Sequence, residues 1–171
     1  YEEHVRRAGD DIRKGSPAPG NIAGGITTLE EKSLGCIHKG GHSIINEVLE
    51  YAEEPTEKGL VIMDTPGNDM SSIAGMVAGG AQIVVFTSGR GAATGHPIAP
   101  VIKITGNRET YARMEDNIDI DASPIIFEPG SLPRLGDILM KEVFDVAEGK
   151  MTKAEILNFM ETAVVRLCNF V

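Results

Sequence analysis

Residues 59–86, GLVIMDTPGNDMSSIAGMVAGGAQIVVF, decide the fold class. Leu60 to Met63 is a short apolar run that follows Lys58-Gly59 and ends in the turn Asp64-Thr-Pro-Gly-Asn-Asp69. A run of that length, punctuated on both sides, reads as a buried strand. Ser71 to Gly79 is a helical segment of small residues, and Gln82 to Phe86 is a second buried strand. Strand, helix, strand in so short a span is a βαβ unit, which implies parallel pairing and a right-handed crossover. Downstream, Val101 to Ile104 supplies a third strand, Asn107 caps a short helix through Met114, and Ile118 to Ile120 offers a fourth strand. Two helices follow, over 135–148 and 154–167, the second behind a capping box of Thr152 and Glu155. The pattern predicts an α/β fold: a three-layer, Rossmann-like domain with a mainly parallel sheet.

Upstream lies Pro19 to Lys39, PGNIAGGITTLEEKSLGCIHK, with its Pro-Gly-Asn turn and Gly24-Gly25 pair. Thr28 and Glu31 form a Thr-x-x-Glu capping box, so a helix is expected from Leu29. Its first turn presents free N–H groups and the positive end of the helix dipole just after a glycine loop. Gly40-Gly41 stops that helix. Ile44, Ile45, Val48, Leu49 and Ala52 then fall on one helical face, predicting an amphipathic helix from Ser43 that Pro55 closes. Residues 1–9 read as a short helix, and Asp10 to Ala18 as linker. The expected organisation is a helix end and linker over 1–18 and one α/β domain over 19–171. Because Tyr1 is not a methionine and sits in helical pattern, a longer parent protein is expected.

Composition narrows the function. Hydrophobic residues at 42% and charged residues at 24% match an ordinary globular chain. A formal net charge of -9 excludes a nucleic acid or an anionic membrane as the expected partner, since either calls for a basic face. Cys36 and Cys168 form no C-x-x-C pair, so neither a disulfide framework nor a cysteine zinc site is read. No apolar run is long enough to cross a membrane. A reducing cytoplasm is the expected location.

In a parallel sheet, ligands bind beyond the carboxyl ends of the strands, where Asp64 to Asp69 and Thr87 to Pro97 emerge. Arg90 stands between Gly89 and Gly91, where a guanidinium can grip a carboxylate in two-pronged fashion; a surface arginine in a loop is the plain alternative. His96 is the histidine best placed for proton transfer, or else a turn residue bonded to its own backbone. Lys32, in the first turn of the capped helix, suits anion binding or proton transfer, or is a solvated helix residue. His38 and His42 have the spacing of helical metal ligands, but Gly40-Gly41 between them breaks that helix. Asp119 and Asp121 alternate with Ile118 and Ile120, which puts both carboxylates on one strand face as weak candidates for a divalent cation. A solvated strand edge accounts for them equally well.

Four stretches in order carry a family resemblance: GNIAGGITTLEEKSLG from Gly20, GLVIMDTP from Gly59, FTSGRG from Phe86 and PVIKITGN from Pro100. Over about residues 17–121 the chain resembles the C-terminal region of the altronate and galactarate dehydratases, whose relatives include the large subunit of sulfolactate sulfo-lyase. Asp121-Ala-Ser123 departs from the Asn-Ala-Gly expected there. The resemblance implies a hydro-lyase that removes water from an aldonate or aldarate to give a 2-keto-3-deoxy acid, with a sulfo-lyase as the runner-up. It further implies a divalent metal, iron or manganese, a sugar-acid substrate, N-terminal domains of the same enzyme as partners, and a homo-oligomer. In that chemistry Asn21, Thr28, Arg90 and Lys103 are the candidates to hold substrate, and Lys32 and His96 to move protons. Two other classes stay open: a non-catalytic module binding phosphate or nucleotide, and an assembly domain using the small residues of Met70 to Ala81 as a subunit interface.

Overall fold

The computed structural model describes residues 2–7, 9–11, 13 and 15–164. They divide into two compact units. One holds the residues up to Leu49 together with Pro55–Asp64; the other holds Glu50–Glu54 together with the residues from Thr65 onward.

The first unit contains α1 (Glu2–Arg7), α2 (Pro19–Ala23), α3 (Leu29–Lys39), β1 (Ile45–Leu49) and β2 (Leu60–Met63). Helix α3 starts where its capping residues predict, with Thr28 Oγ1 accepting the Glu31 N–H at 3.1 Å. Glu31 reaches back one residue further than a capping box requires, taking the Thr27 N–H at 2.7 Å and the Thr27 hydroxyl at 2.5 Å. The Thr27 hydroxyl and backbone N–H hold its carboxyl below the usual range. The turn at Pro19 tightens into the single helical turn of α2, where Asn21 Oδ1 accepts the Ala18 N–H at 3.1 Å.

The helix expected from Ser43 is instead strand β1, parallel to β2 with Ile45 opposite Leu60 and a bulge between Ile45 and Glu47. Long-range bonds override the helical spacing of its apolar residues. Glu47 accepts N–H bonds from Thr56 and Glu57 and the Thr56 hydroxyl, and Asn46 donates to the Lys58 carbonyl. Ala52 sits at φ 66°, a left-handed conformation that no helix continues through. Of the five apolar residues that suggested a core-facing helix, only Leu49 is fully buried.

The second unit contains α4 (Asp69–Ala78), β3 (Val84–Thr87), β4 (Val101–Thr105), α5 (Arg108–Arg113), β5 (Ile120–Asp121), α6 (Pro124–Phe127), α7 (Ser131–Ala147) and α8 (Lys153–Ile156). Its sheet has the order β3-β4-β5 with both pairings parallel, and central β4 is buried along its whole length. On one face Val84, Val101 and Ala99 pack with Ile73 and Val77 of α4. On the other, Ile102, Ile104 and Ile120 pack with Val146, and Leu139 and Val143 of α7 close over them. Helix, sheet, helix is the three-layer α/β arrangement expected. Each isoleucine buried this way contributes on the order of 2 kcal/mol.

Three expectations change in detail. β2 and β3 lie in different sheets, so residues 59–86 do not close one βαβ unit; that role passes to β4-α5-β5. The helix expected over 154–167 forms only as Lys153–Ile156 among the described residues, because Asn158 turns the chain at φ 58°; 165–167 lie outside those residues. The small-residue face of α4 serves the chain's own core rather than a subunit interface. Ile73, Ala74 and Val77 are buried, and the Tyr51 ring lies against Gly75 while its hydroxyl donates to the Ser71 carbonyl at 2.8 Å.

Candidate functional site

The carboxyl ends of β3, β4 and β5 share one edge of the sheet, and three connections leave it there. The longest runs from Ser88 to Pro100. Ser88 Oγ accepts the Gly91 N–H at 3.0 Å, and the Thr110 hydroxyl donates to the Gly89 carbonyl at 3.0 Å, which ties the loop to α5. Gly91 stands at φ 85° with Met114 and Thr110 where a Cβ would be. At Gly95 a Cβ would run into the Phe159 carbonyl and Ala154. These two glycines therefore let the loop pack on its own chain, while Arg90 between Gly89 and Gly91 is exposed.

After β4, Asn107 caps α5, its Oδ1 accepting the N–H groups of Glu109 and Thr110 at 3.0 and 3.1 Å. Next to this turn is an open depression of about 380 Å³ lined by Gly106, Asn107, Arg108, Glu109, Ile126 and Phe127. It carries one cation, Arg108, beside apolar side chains of α6. Residue-level reading of the sequence had no means of choosing Arg108, because the partners that make the depression come from α6, well downstream.

The most unusual group in the unit is Lys103, in the middle of β4. Its side chain is 2% exposed, and its Nζ lies 3.8 Å from Asp119 Oδ2, an ion pair too long to be a hydrogen bond. Among buried side-chain nitrogens and oxygens of the described residues, Lys103 Nζ is the atom without a hydrogen-bond partner. Burial pushes its pKa down, against the opposing pull of Asp119. Strand alternation explains how it comes to be there: Lys103 shares the face of Val101 and Thr105, opposite the isoleucine face that packs on α7.

Asp119, 4% exposed, holds this neighbourhood together. Its Oδ2 accepts the Lys103 N–H at 2.7 Å and its Oδ1 accepts the Lys153 N–H at 2.8 Å, which moors the start of α8 to the sheet. Lys153 Nζ in turn donates to the carbonyls of Glu115 and Ile118 at 2.5 and 2.7 Å and sits 5.7 Å from the Tyr111 ring centroid. Burial first, then Glu115, Asp121 and Asp119, raise the Tyr111 phenol. The capping box at Thr152 marked the start of α8 in the sequence, but nothing local revealed that its first amide bonds a carboxylate on the far side of α7.

The structure thus brings Lys103 and Asp119 together, with Asp121 on the neighbouring turn, where its Oδ1 accepts the Ser123 N–H at 2.8 Å. His96 is half-buried; its Nδ1 accepts the Ile98 N–H at 3.4 Å, and burial lowers its pKa. Asn21, Thr28 and Lys32 belong to the other unit. There Asn21 and Thr28 spend their side-chain oxygens on caps, and Lys32 donates to Ser16 Oγ at 3.3 Å. No group of three His, Cys, Asp or Glu side chains converges among the described residues. Asp119 gives both oxygens to backbone donors and faces a lysine, so these residues do not fit a divalent metal site.

A parallel three-layer α/β unit with cationic and acidic side chains on β4, β5 and their connections is the kind of domain that binds small anionic metabolites. The family described as D-galactarate/Altronate dehydratase, C-terminal, matches residues 1–169, and the chain belongs to that family. The match extends beyond residues 17–121 to nearly the whole chain. The chain is 38% identical over 151 residues to altronate dehydratase of Escherichia coli, covering 88% of the chain and 30% of that relative. It is 37% identical over 163 residues to (2R)-sulfolactate sulfo-lyase subunit beta of Chromohalobacter salexigens, covering 95% of the chain and 42% of the relative. Galactarate dehydratase (L-threo-forming) of Escherichia coli is 37% identical over 150 residues, covering 88% and 28%. The chain therefore spans less than half the length of each. No helix among the described residues is long and apolar enough to cross a membrane.

Proposed function

We propose that this chain is the C-terminal domain of a cytoplasmic sugar-acid dehydratase of the altronate or galactarate type, a hydro-lyase that converts an aldonate or aldarate to a 2-keto-3-deoxy acid. The observation that carries the reading is the similarity to two sugar-acid dehydratases over 88% of the chain. The α-proton of a carboxylate is weakly acidic, so charge must be neutralised as the enediolate forms. Arg90 and Lys103 are the groups proposed to hold the substrate carboxylate, with Asn21 and Thr28 as further contacts. Arg108 joins them because it faces the depression at the end of β4.

Lys32 is the proposed acceptor of the α-proton. His96 takes the complementary part. With Nδ1 accepting from Ile98, its neutral ring carries the proton on Nε2, which suits donation to the departing hydroxyl. The family resemblance implies a divalent metal, whose ligands would come from the additional length that the relatives possess.

One observation favours a second reading: the sulfo-lyase subunit matches more of this chain than the dehydratases do. Elimination of sulfite from sulfolactate would use the same carboxylate grip. The test is to assay the parent protein with altronate, galactarate and sulfolactate. A 2-keto-3-deoxy acid from either sugar acid is expected. Sulfite released from sulfolactate instead would select the second reading, and turnover of none would overturn both.

A further inference from the structure

Helix α7 is apolar around more of its circumference than its own chain covers. Leu135, Leu139, Val143 and Val146 face the sheet. Leu132, Gly136, Met140 and Phe144 form a second apolar line, each step of four residues advancing about 40° around the helix. Leu132 is 64% exposed, Met140 54% and Phe144 61%. Charged residues occupy the remaining arc, among them Arg134, Asp137, Lys141 and Glu148. Gly136 is the odd member. It lies inside a 17-residue helix, where glycine costs about 1 kcal/mol relative to alanine. Nothing in the chain requires it, since a Cβ there would meet no atom within 4 Å.

From this pattern we propose that α7 is the interface of a twofold homodimer, with a second copy of the same helix running antiparallel across it. The line is self-complementary about Ile138. Pairing in that register sets Met140 of one copy over Gly136 of the other and Leu132 against Phe144, so each large side chain finds a small or apolar counterpart. The same register brings Asp137 beside the Lys141 of the second copy, twice. Lys141 is 74% exposed and paired within the chain only to Asp145, so it can reach across. A bare helix backbone at Gly136 permits the close approach that such a crossing needs. An unrelated partner gives no reason for small and large residues, and acid and base, to match under reversal of one helix.

The test is sedimentation equilibrium of the 171-residue chain between about 1 and 100 μM, the range in which an interface built on one helix pair should associate. A dimer is expected. Gly136→Leu fills the socket without touching the chain's own core, so thermal unfolding at low concentration should be unchanged while dissociation rises about thirtyfold or more. Asp137→Lys and Lys141→Asp should each weaken the dimer, and the double exchange should restore it. A chain that stays monomeric throughout overturns the proposal, as does a dimer indifferent to Gly136→Leu or a double exchange that fails to recover. Circular dichroism of each variant separates lost association from lost fold.

Discussion

The pair Lys103 and Asp119 shows how differently two oppositely charged buried groups can be supported. Asp119 has two backbone N–H donors, whereas the Lys103 ammonium has none of its own. Truncating Asp119 therefore strands two amides and a buried cation, and Asp119→Asn should cost about 3 kcal/mol or more in urea unfolding. Lys103→Met removes the orphaned ammonium and leaves the carboxylate bonded, so its cost should be clearly smaller. Equal costs would show that the ion pair, not the backbone bonds, is the stabilising element. The pH dependence follows from the same burial. Lys103 has a lowered pKa in the folded chain, so between that value and the ordinary lysine range the unfolded chain holds more protons and stability rises with pH. Lys103→Met should lose that alkaline rise. His96 obeys the same sign in its own window: its folded pKa is depressed by burial, so its contribution falls as pH drops through the ordinary histidine range toward the lowered value. An NMR titration of the ring should give a midpoint below that of free imidazole; one at or above it would remove burial as the governing influence.

At the scale of elements, caps and loop glycines make distinguishable predictions. Thr28 caps a fully exposed helix and Thr152 a buried one, where Glu155 Oε2 accepts both the Thr152 N–H and hydroxyl at 2.8 Å. Thr28→Ala should cost about 1 kcal/mol and Thr152→Ala about 2 kcal/mol or more, measured by chemical denaturation. Gly95→Ala should displace the loop from Phe159, because a backbone carbonyl cannot yield to a methyl group; a loss of roughly 1–3 kcal/mol is expected. These caps were legible in the sequence because a cap is local: Thr28, Asn107 and Thr152 each bond an amide two or three residues on. Strands β2, β3 and β4 were legible from apolar runs between turns. Strand β1 was not, since Ile44, Ile45, Val48 and Leu49 have helical spacing and the bonds that decide otherwise come from Thr56 to Lys58. The candidate site was legible only as a set of residue types at strand ends; that Lys103 faces Asp119, and that Arg108 borders a depression, depends on contacts between distant segments.

For the molecule as a whole, the relatives' greater length and the lack of a converging ligand group lead to one expectation: the 171-residue chain folds but does not turn over substrate by itself. The three packed layers of the second unit supply a core, whereas elimination needs acid, base and charge stabiliser held to small tolerances. Assaying the purified chain with altronate, galactarate and sulfolactate, with ferrous iron, manganese or magnesium added, should give no turnover; rates comparable to those of an intact dehydratase would refute this. In the parent protein, Arg90→Lys should lower kcat/KM at least tenfold if Arg90 grips a carboxylate with both prongs, and kinetics within about twofold of the unaltered protein would remove it from the site. Asp119 has one more consequence, for assembly of the sheet. Its amide donates to the Lys103 carbonyl while its carboxylate receives the Lys103 amide, so backbone and side chain mark the same alignment of two segments sixteen positions apart. A slip of one residue would turn the carboxylate toward Ile102 and Ile104, where no donor awaits it. A misaligned sheet thus carries a buried bare charge, and the nascent domain can reject that error before the outer helices close over it.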